Sequence, residues 1–408
     1  MEKVAIINSF LDYGSTGSIT RQLYDYGLAQ GYEPYVFYGR YSAGDNEHLF
    51  RIDSKYEVYA HKILALLTGY QGYFSNIATS RLINILKSNK IRKAILLNLH
   101  GYYLNERRLL EYLKDNSIQT VYITPDEYAG LGKCCYSGEC IKYQTGCFDC
   151  PDIKGYPKSL FFDRSRAMFQ MKKKAYDGFD KLTLLGPETN LVKFRTSALT
   201  KGMKMVRASW GIDLGLYQYE VDDSLFEKYK IPRDKVLILT VAKYSDPRKG
   251  VKDYFFEIAK RFQGSDYHFI NVGYDGNLSS DEIPTNMTTI GYLDNQKELA
   301  HLYSMSDLYL LASTSDTMPL SCLISFGCET PVCCFYTSGL RFLAPESHPA
   351  VVYSKDISLD GLESIITKID KKTIEIRNAC RRLAEEEYSV TAFNRKVFEV
   401  FERNGENK

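Results

Sequence analysis

The chain has 408 residues, 44% of them hydrophobic and 25% charged, with 52 Lys+Arg against 50 Asp+Glu and a net charge of +2. That balance excludes wholesale disorder and, at about 150 residues per domain, predicts two to three domains. It also argues against a nucleic-acid partner held by bulk charge, so no nucleic acid is expected.

The N-terminal stretch Val4-Ala5-Ile6-Ile7 is too short for a signal-peptide core, and no apolar run reaches the roughly 18 residues that span a bilayer. A cytoplasmic protein is expected, at most peripheral on the inner membrane face. Lys3 to Asn8 reads as a strand, followed by a loop with Gly14, Ser15, Thr16 and Gly17. A helix with Ile19, Leu23, Tyr26 and Leu28 on one face comes next, then a strand from Pro34 to Tyr38. Strand, Gly-bearing loop, helix and strand open a doubly wound parallel sheet. The segment Val58 to Phe74 carries Ile63, Leu64, Leu66 and Leu67 and suits either a core helix or a membrane-interface helix. Ala94 to Leu99 is a buried-type strand ending at His100, Leu109 to Leu113 sits in a helix, and Thr120 to Ile123 is a further strand.

A Cys- and Gly-rich insertion, 130–157, interrupts the pattern before the strand Leu182 to Leu185 resumes it. Periodicity weakens between Trp210 and Lys235. A second set then begins, with strands at Val236 to Val241, Tyr267 to Val272 and Leu308 to Leu311, and a helix over Asp253 to Phe262. The expected fold class is therefore α/β, with two doubly wound, Rossmann-like domains. Nothing in the pattern requires the sheets to face each other, but ligands in such sheets bind beyond the C-terminal strand ends, so two domains facing across a cleft are the default expectation. The boundaries are 1–215 and 216–387, and Phe393, Val397, Val400 and Phe401 at helical spacing predict a last helix over Val390 to Phe401.

Several motifs carry chemistry. Gly14 and Gly17 either admit a phosphate close to the backbone at a helix N-terminus or form an ordinary tight turn. Lys243, Arg248 and Lys249 put three cations on a loop after a strand, which suits a diphosphate or a solvated turn. Cys134, Cys140, Cys147 and Cys150 are either four ligands of a structural zinc or reduced thiols. His100 is structural or catalytic. Two basic clusters, Lys87 with Lys90, Arg92 and Lys93, and Lys172 with Lys173 and Lys174, are solvated helix faces or docks for anionic headgroups.

The stretch Ser313-Thr314-Ser315-Asp316-Thr317-Met318-Pro319, ending in Thr330-Pro331-Val332, resembles the retaining nucleotide-sugar glycosyltransferases of the GT-B fold. Trp210-Gly211-Ile212-Asp213-Leu214, the Lys243 and Lys249 pair, and the segment from Asn295 to Asp307 match that family in order. Leu99-His100-Gly101-Tyr102-Tyr103, Thr124-Pro125-Asp126, Cys134 to Pro151 and Tyr156-Pro157 resemble its branch in bacterial exopolysaccharide and colanic acid assembly.

The resemblance implies transfer of a sugar from a UDP- or GDP-linked donor to a polysaccharide or lipid-linked acceptor, with retention and with no cofactor required for catalysis. Lys243 and Lys249 would stabilise the leaving diphosphate, Asp316 and Thr317 would meet the donor, and His100 and Asp126 would lie in the active site. The resemblance also implies that the last helix, within 388–408, crosses back to the first domain. Two positions depart from the family. Pro125 stands where a histidine precedes Asp126, and Ile324 replaces the glutamate that holds the ribose. A branched alkyl group accepts no hydrogen bond. The alternative implied is a catalytically impaired pseudo-glycosyltransferase acting as a binding or regulatory subunit.

Overall fold

Apolar runs bounded by turn residues become the strands of two parallel sheets, one in each of two units, Met1–Ala208 with the chain from Asn394, and Ser209–Phe393. The computed structural model describes residues 1–40, 48–276, 278–314, 316, 318–337, 339–368 and 371–403.

In the first unit β1 (Glu2–Phe10), α1 (Gly14–Ala29), β2 (Tyr32–Arg40) and β3 (Leu49–Arg51) lead into α2 (Lys55–Thr68) and α3 (Asn76–Ser88). Next come β4 (Lys93–Leu96), α4 (Glu106–Asp115), β5 (Gln119–Ile123), α5 (Ser165–Tyr176), β6 (Leu182–Gly186), α6 (Glu188–Thr196) and β7 (Lys204–Arg207). The sheet runs β3-β2-β1-β4-β5-β6-β7, every pair parallel. Strands covered on both faces carry continuous apolar sequence, as in the wholly buried Val4 to Ile7 and Ala94 to Leu97. Strand order reverses between β1 and β4, so their C-terminal ends form the unit's topological switch point.

The second unit contains α7 (Ser224–Lys228), β8 (Val236–Val241), α8 (Glu257–Arg261), β9 (Tyr267–Val272), β10 (Met287–Ile290), α9 (Gln296–Met305) and β11 (Leu308–Leu311). It continues through α10 (Leu320–Gly327), β12 (Val332–Phe335), β13 (Val351–Ser354), α11 (Leu359–Ile366) and α12 (Ile374–Leu383) to α13 (Val390–Arg403). Its sheet runs β10-β9-β8-β11-β12-β13, all parallel, and reverses between β8 and β11. From Asn394 onward α13 belongs to the first unit. Phe398 packs its ring 5.4 Å from Tyr26 and 5.0 Å from Tyr32, and the Gln119 side-chain amide donates to the Val400 and Phe401 carbonyls at 3.1 Å.

Four local expectations change. Gly14 to Gly17 are the first turn of α1 rather than a loop, and the turn proper is Leu11 to Tyr13. The helix expected over Asp253 to Phe262 starts with a π turn, Val251–Phe256, because the Tyr254 and Phe255 amides both reach back to the Gly250 carbonyl. Lys172 and Lys93 are not solvated. Lys172 is fully buried, where its ammonium donates to the Tyr128 and Leu131 carbonyls at 2.6 and 3.0 Å and satisfies a short 3-10 turn. Lys93 pairs with Glu2 at 2.6 Å. Finally, α2 turns its apolar stripe outward and buries His61 and Ala65 instead.

Candidate functional site

At the switch point of the second unit, the chain leaves β8 through Lys243 and enters a 3-10 turn, Pro247–Lys249. The Asp246 carboxylate caps that turn by accepting from the Arg248 amide at 3.1 Å. Gly250 follows in the left-handed region with φ +65, and a Cβ there would lie 2.1 Å from the Ala312 carbonyl oxygen. Only glycine lets the cationic turn sit this close to the end of β11. The Ser313 hydroxyl donates to the Arg248 carbonyl at 2.8 Å and ties the two loops.

The result is an ion pair, Lys249 Nζ to Asp316 Oδ2 at 2.6 Å, with both side chains mostly covered. Lys243 is exposed beside it in sequence, and its charge lowers the pKa of Asp275 after the Ser245 hydrogen bonds do. Asp316 also receives the Gly339 amide at its backbone carbonyl, 2.8 Å away. The structure therefore joins Lys249 and Asp316, which lie on separate loops. Thr317 and Ser315 fall outside the described residues.

Ile324 lies on α10 and is buried in the apolar core with Leu323, Phe326 and Ile212. Glu329 adopts φ +59, in the left-handed region, and its carboxylate pairs with Arg377 at 2.8 Å.

In the first unit, His100 follows β4 and Asp126 follows β5. His100 Nε2 stands 2.7 Å from Asp126 Oδ2, with side chains 8% and 11% exposed. The other ring nitrogen, Nδ1, is 3.3 Å from the Tyr156 hydroxyl, and Asp126 Oδ1 accepts from the Tyr128 amide at 2.9 Å. Each polar atom of the pair thus has a partner, and the carboxylate fixes the imidazole's orientation, which is the arrangement of a base and its orienting acid. Cys135 completes a group of three whose ligand atoms lie within 4.8 Å of one another. Burial, then the neighbouring Asp126, holds its thiol far above the ordinary range, so it stays protonated.

The turn before α1 meets the same switch point. The Asn8 side-chain amide donates to the Thr16 carbonyl and the Thr20 hydroxyl at 3.1 and 2.8 Å, and Asn98 reaches the Thr16 hydroxyl at 3.3 Å. Gly17 packs on this turn, since a Cβ there would meet the Asp12 amide at 3.2 Å, whereas Gly14 at φ +66 has nothing within 4 Å. Asn8, Asn98 and Tyr128 are polar groups of this region that motif spacing did not single out. Their one sequence signal is position at or after the C-terminal ends of β1, β4 and β5.

Cys134, Cys140, Cys147 and Cys150 are half-buried thiols, and among the described residues they do not form a group of three within 4.8 Å. They are nonetheless neighbours. Burial pushes Cys134 up to about 12, with Cys147 and Cys150 adding to the rise, and Cys140 and Cys150 both raise Cys147. The Gly132 amide donates to the Cys147 sulfur at 3.3 Å.

Residues 235–367, within the second unit, match the family model described as Glycosyl transferases group 1. No curated protein matches the chain. A glycosyltransferase from Rickettsia africae ESF-5 is similar in structure at 12% identity and TM-score 0.62, covering 100% of this chain and 99% of that one. WaaG, a glycosyltransferase involved in lipopolysaccharide biosynthesis, is similar at 13% identity and TM-score 0.58, covering 97% and 99%. Anabaena HepE in complex with UDP is similar at 12% identity and TM-score 0.58, covering 99% and 100%. The two parallel-sheet α/β units accordingly have the GT-B fold of these glycosyltransferases.

Proposed function

We propose that the chain transfers a sugar from a nucleotide-sugar donor to a polysaccharide precursor, with retention of configuration and a lipid-linked acceptor at the inner membrane face. The observation that carries this is the Lys249–Asp316 pair at the second unit's switch point, inside the segment that matches the glycosyltransferase family. A donor diphosphate would draw Lys249 and Lys243 to its oxygens, each charge-assisted bond contributing about 1.5–3 kcal/mol. Asp316, released from Lys249, then meets the sugar. The lysines carry the leaving-group charge, which is a large share of the catalytic requirement. The His100–Asp126 pair serves proton handling on the first unit. Similar structures are described with UDP, with UDP-glucose and with UDP and glucose, so uridine nucleotides are the first donors to test and guanosine nucleotides the second.

Calorimetry with a panel of UDP- and GDP-sugars, followed by a hydrolysis assay, tests this function. Binding with slow hydrolysis is expected, and failure to bind any donor would refute it. A second reading, a pseudo-glycosyltransferase that binds without turnover, is favoured by Ile324, whose side chain offers the ribose no acceptor. Turnover by the wild-type chain separates the two: an enzyme binds a donor and hydrolyses it, whereas a binding subunit binds the donor and shows no hydrolysis.

The insertion adds a structural zinc to the proposal, held by Cys134, Cys140, Cys147 and Cys150. Their proximity, the amide on Cys147 and the nearby Lys133 and Lys172 charges suit a tetrathiolate. Binding would draw the sulfurs to roughly 4 Å from one another, given zinc–sulfur bonds of about 2.3 Å. Metal analysis of protein purified without chelator should return about one zinc per chain; its absence would leave four reduced thiols.

A further inference from the structure

We infer that the outward face of α2, with the loop over 158–164 packed on its end, seats the first unit on an anionic lipid surface. In a helix of a soluble domain the apolar stripe faces the core. Here the order is inverted. Tyr56, Tyr59, Ile63 and Leu67 recur at helical spacing, and they are 88%, 65%, 41% and 44% exposed. The opposite side holds His61 and Ala65, at 2% and 1% exposed, and His61 Nδ1 is bound to the Ser75 hydroxyl at 2.8 Å. The inward side of the helix is thus anchored partly by a polar contact, and the apolar stripe faces solvent.

The loop extends the same surface. The Leu160 amide donates to the Leu66 carbonyl at 2.9 Å, and Arg164 donates to the Thr68 carbonyl at 3.3 Å. That holds Phe161 and Phe162, 66% and 50% exposed, at the end of the helix. A contiguous apolar surface of this kind marks an interaction site. Fourteen residues make a helix of about 21 Å, which lies along an interface rather than crossing it.

Charge selects the occupant. Lys55 and Lys62 border the stripe on α2, and the loop segment carries Lys158, Arg164 and Arg166 against Asp163. Two copies of this face would bring like charges together, whereas anionic headgroups complement them while the aromatic and aliphatic side chains enter the acyl boundary. The inference deepens the proposed membrane-side acceptor and rests on that reading for its purpose, yet it involves no donor chemistry.

The test is co-sedimentation of the full chain with phosphatidylcholine vesicles, with or without a one-third share of phosphatidylglycerol. The same preparation is assayed for UDP-sugar binding, so loss of vesicle binding and loss of the donor site are read separately. Wild type should bind the anionic vesicles about tenfold more tightly than the zwitterionic ones, and added salt should weaken it. Phe161→Ser with Phe162→Ser should lower anionic-vesicle binding about tenfold while the thermal melt and donor binding stay unchanged. If that variant fails to fold, Lys55→Glu with Lys62→Glu, which replaces exposed cations only, gives the same answer. Equal binding to both vesicle types, or folded variants that bind like wild type, would overturn the inference. So would a wild-type dimer in solution that the phenylalanine variant dissolves without any vesicle binding.

Discussion

The C-terminal ends of the two sheets solve different electrostatic problems. In the second unit the C-terminal ends of β8 and β11 present cations on short loops, with Lys243 exposed and Lys249 held by Asp316 at 2.6 Å. In the first unit the ends of β4 and β5 present a covered His100–Asp126 pair at 2.7 Å, in which every polar atom is already bonded. An ion pair at a partly open loop exchanges its partner for an incoming anion at little cost. A buried, saturated pair does not, and is better suited to holding one proton in one orientation. On the proposed function, the same sheet topology serves anion binding in one unit and proton handling in the other.

The comparison breaks most sharply at His100. In His100→Ala, the transfer rate should fall about a hundredfold or more while the donor Kd measured by calorimetry is unchanged. A donor Kd that rises in parallel would erase the division between the units. Lys249→Ala is expected to do the reverse and raise the donor Kd about ten- to hundredfold, with Lys249→Arg retaining most of the affinity. An unchanged Kd would remove the donor from this turn.

Gly250→Ala sharpens the comparison by asking whether the cationic turn depends on its close approach to β11. A Cβ 2.1 Å from the Ala312 carbonyl, on a backbone at φ +65, should cost about 1–3 kcal/mol. Urea unfolding would show this as a lower midpoint at constant slope.

The smallest effect concerns pH and the buried groups beneath α2. Burial, followed by Glu57, raises Asp53 from 3.8 to about 7, and burial, followed by Arg40, lowers His61 from 6.5 to about 4. The folded chain holds the Asp53 proton more tightly than the unfolded one, so this contribution is full below about pH 4 and is lost as pH rises to 7. His61 acts oppositely, contributing above 6.5 and losing its contribution as pH falls to 4. Asp53→Asn removes the first slope. The variant should melt higher than wild type at pH 8, and between pH 6.5 and 4 its melting temperature should fall more steeply on acidification.

Strand composition made much of the architecture legible. Buried parallel strands need unbroken apolar runs, and Val4 to Ile7, Ala94 to Leu97 and Leu308 to Leu311 stand out for that reason. The resemblance placed Lys249 and Asp316 at one donor site. That they pair directly across 67 residues depends on β8 and β11 being neighbours in the sheet and on Gly250 permitting contact. The π turn after Gly250 was missed because its hydrogen bonds answer to that same approach rather than to side-chain period.

The sequence by itself determined the alternation of strands and helices, and with it the doubly wound class and the cationic loop after β8. Those features rest on local periodicity and backbone preference, which each segment carries alone. Only the tertiary structure decided which way α2 faces, that Lys172 is buried, and that His100 meets Asp126 and Tyr156. A helical stripe has the same period whether it points to the core or to solvent, and a lysine has the same charge whether it finds water or two carbonyls. Those choices are settled by what the neighbouring elements leave to be packed or hydrogen-bonded, which no single segment encodes.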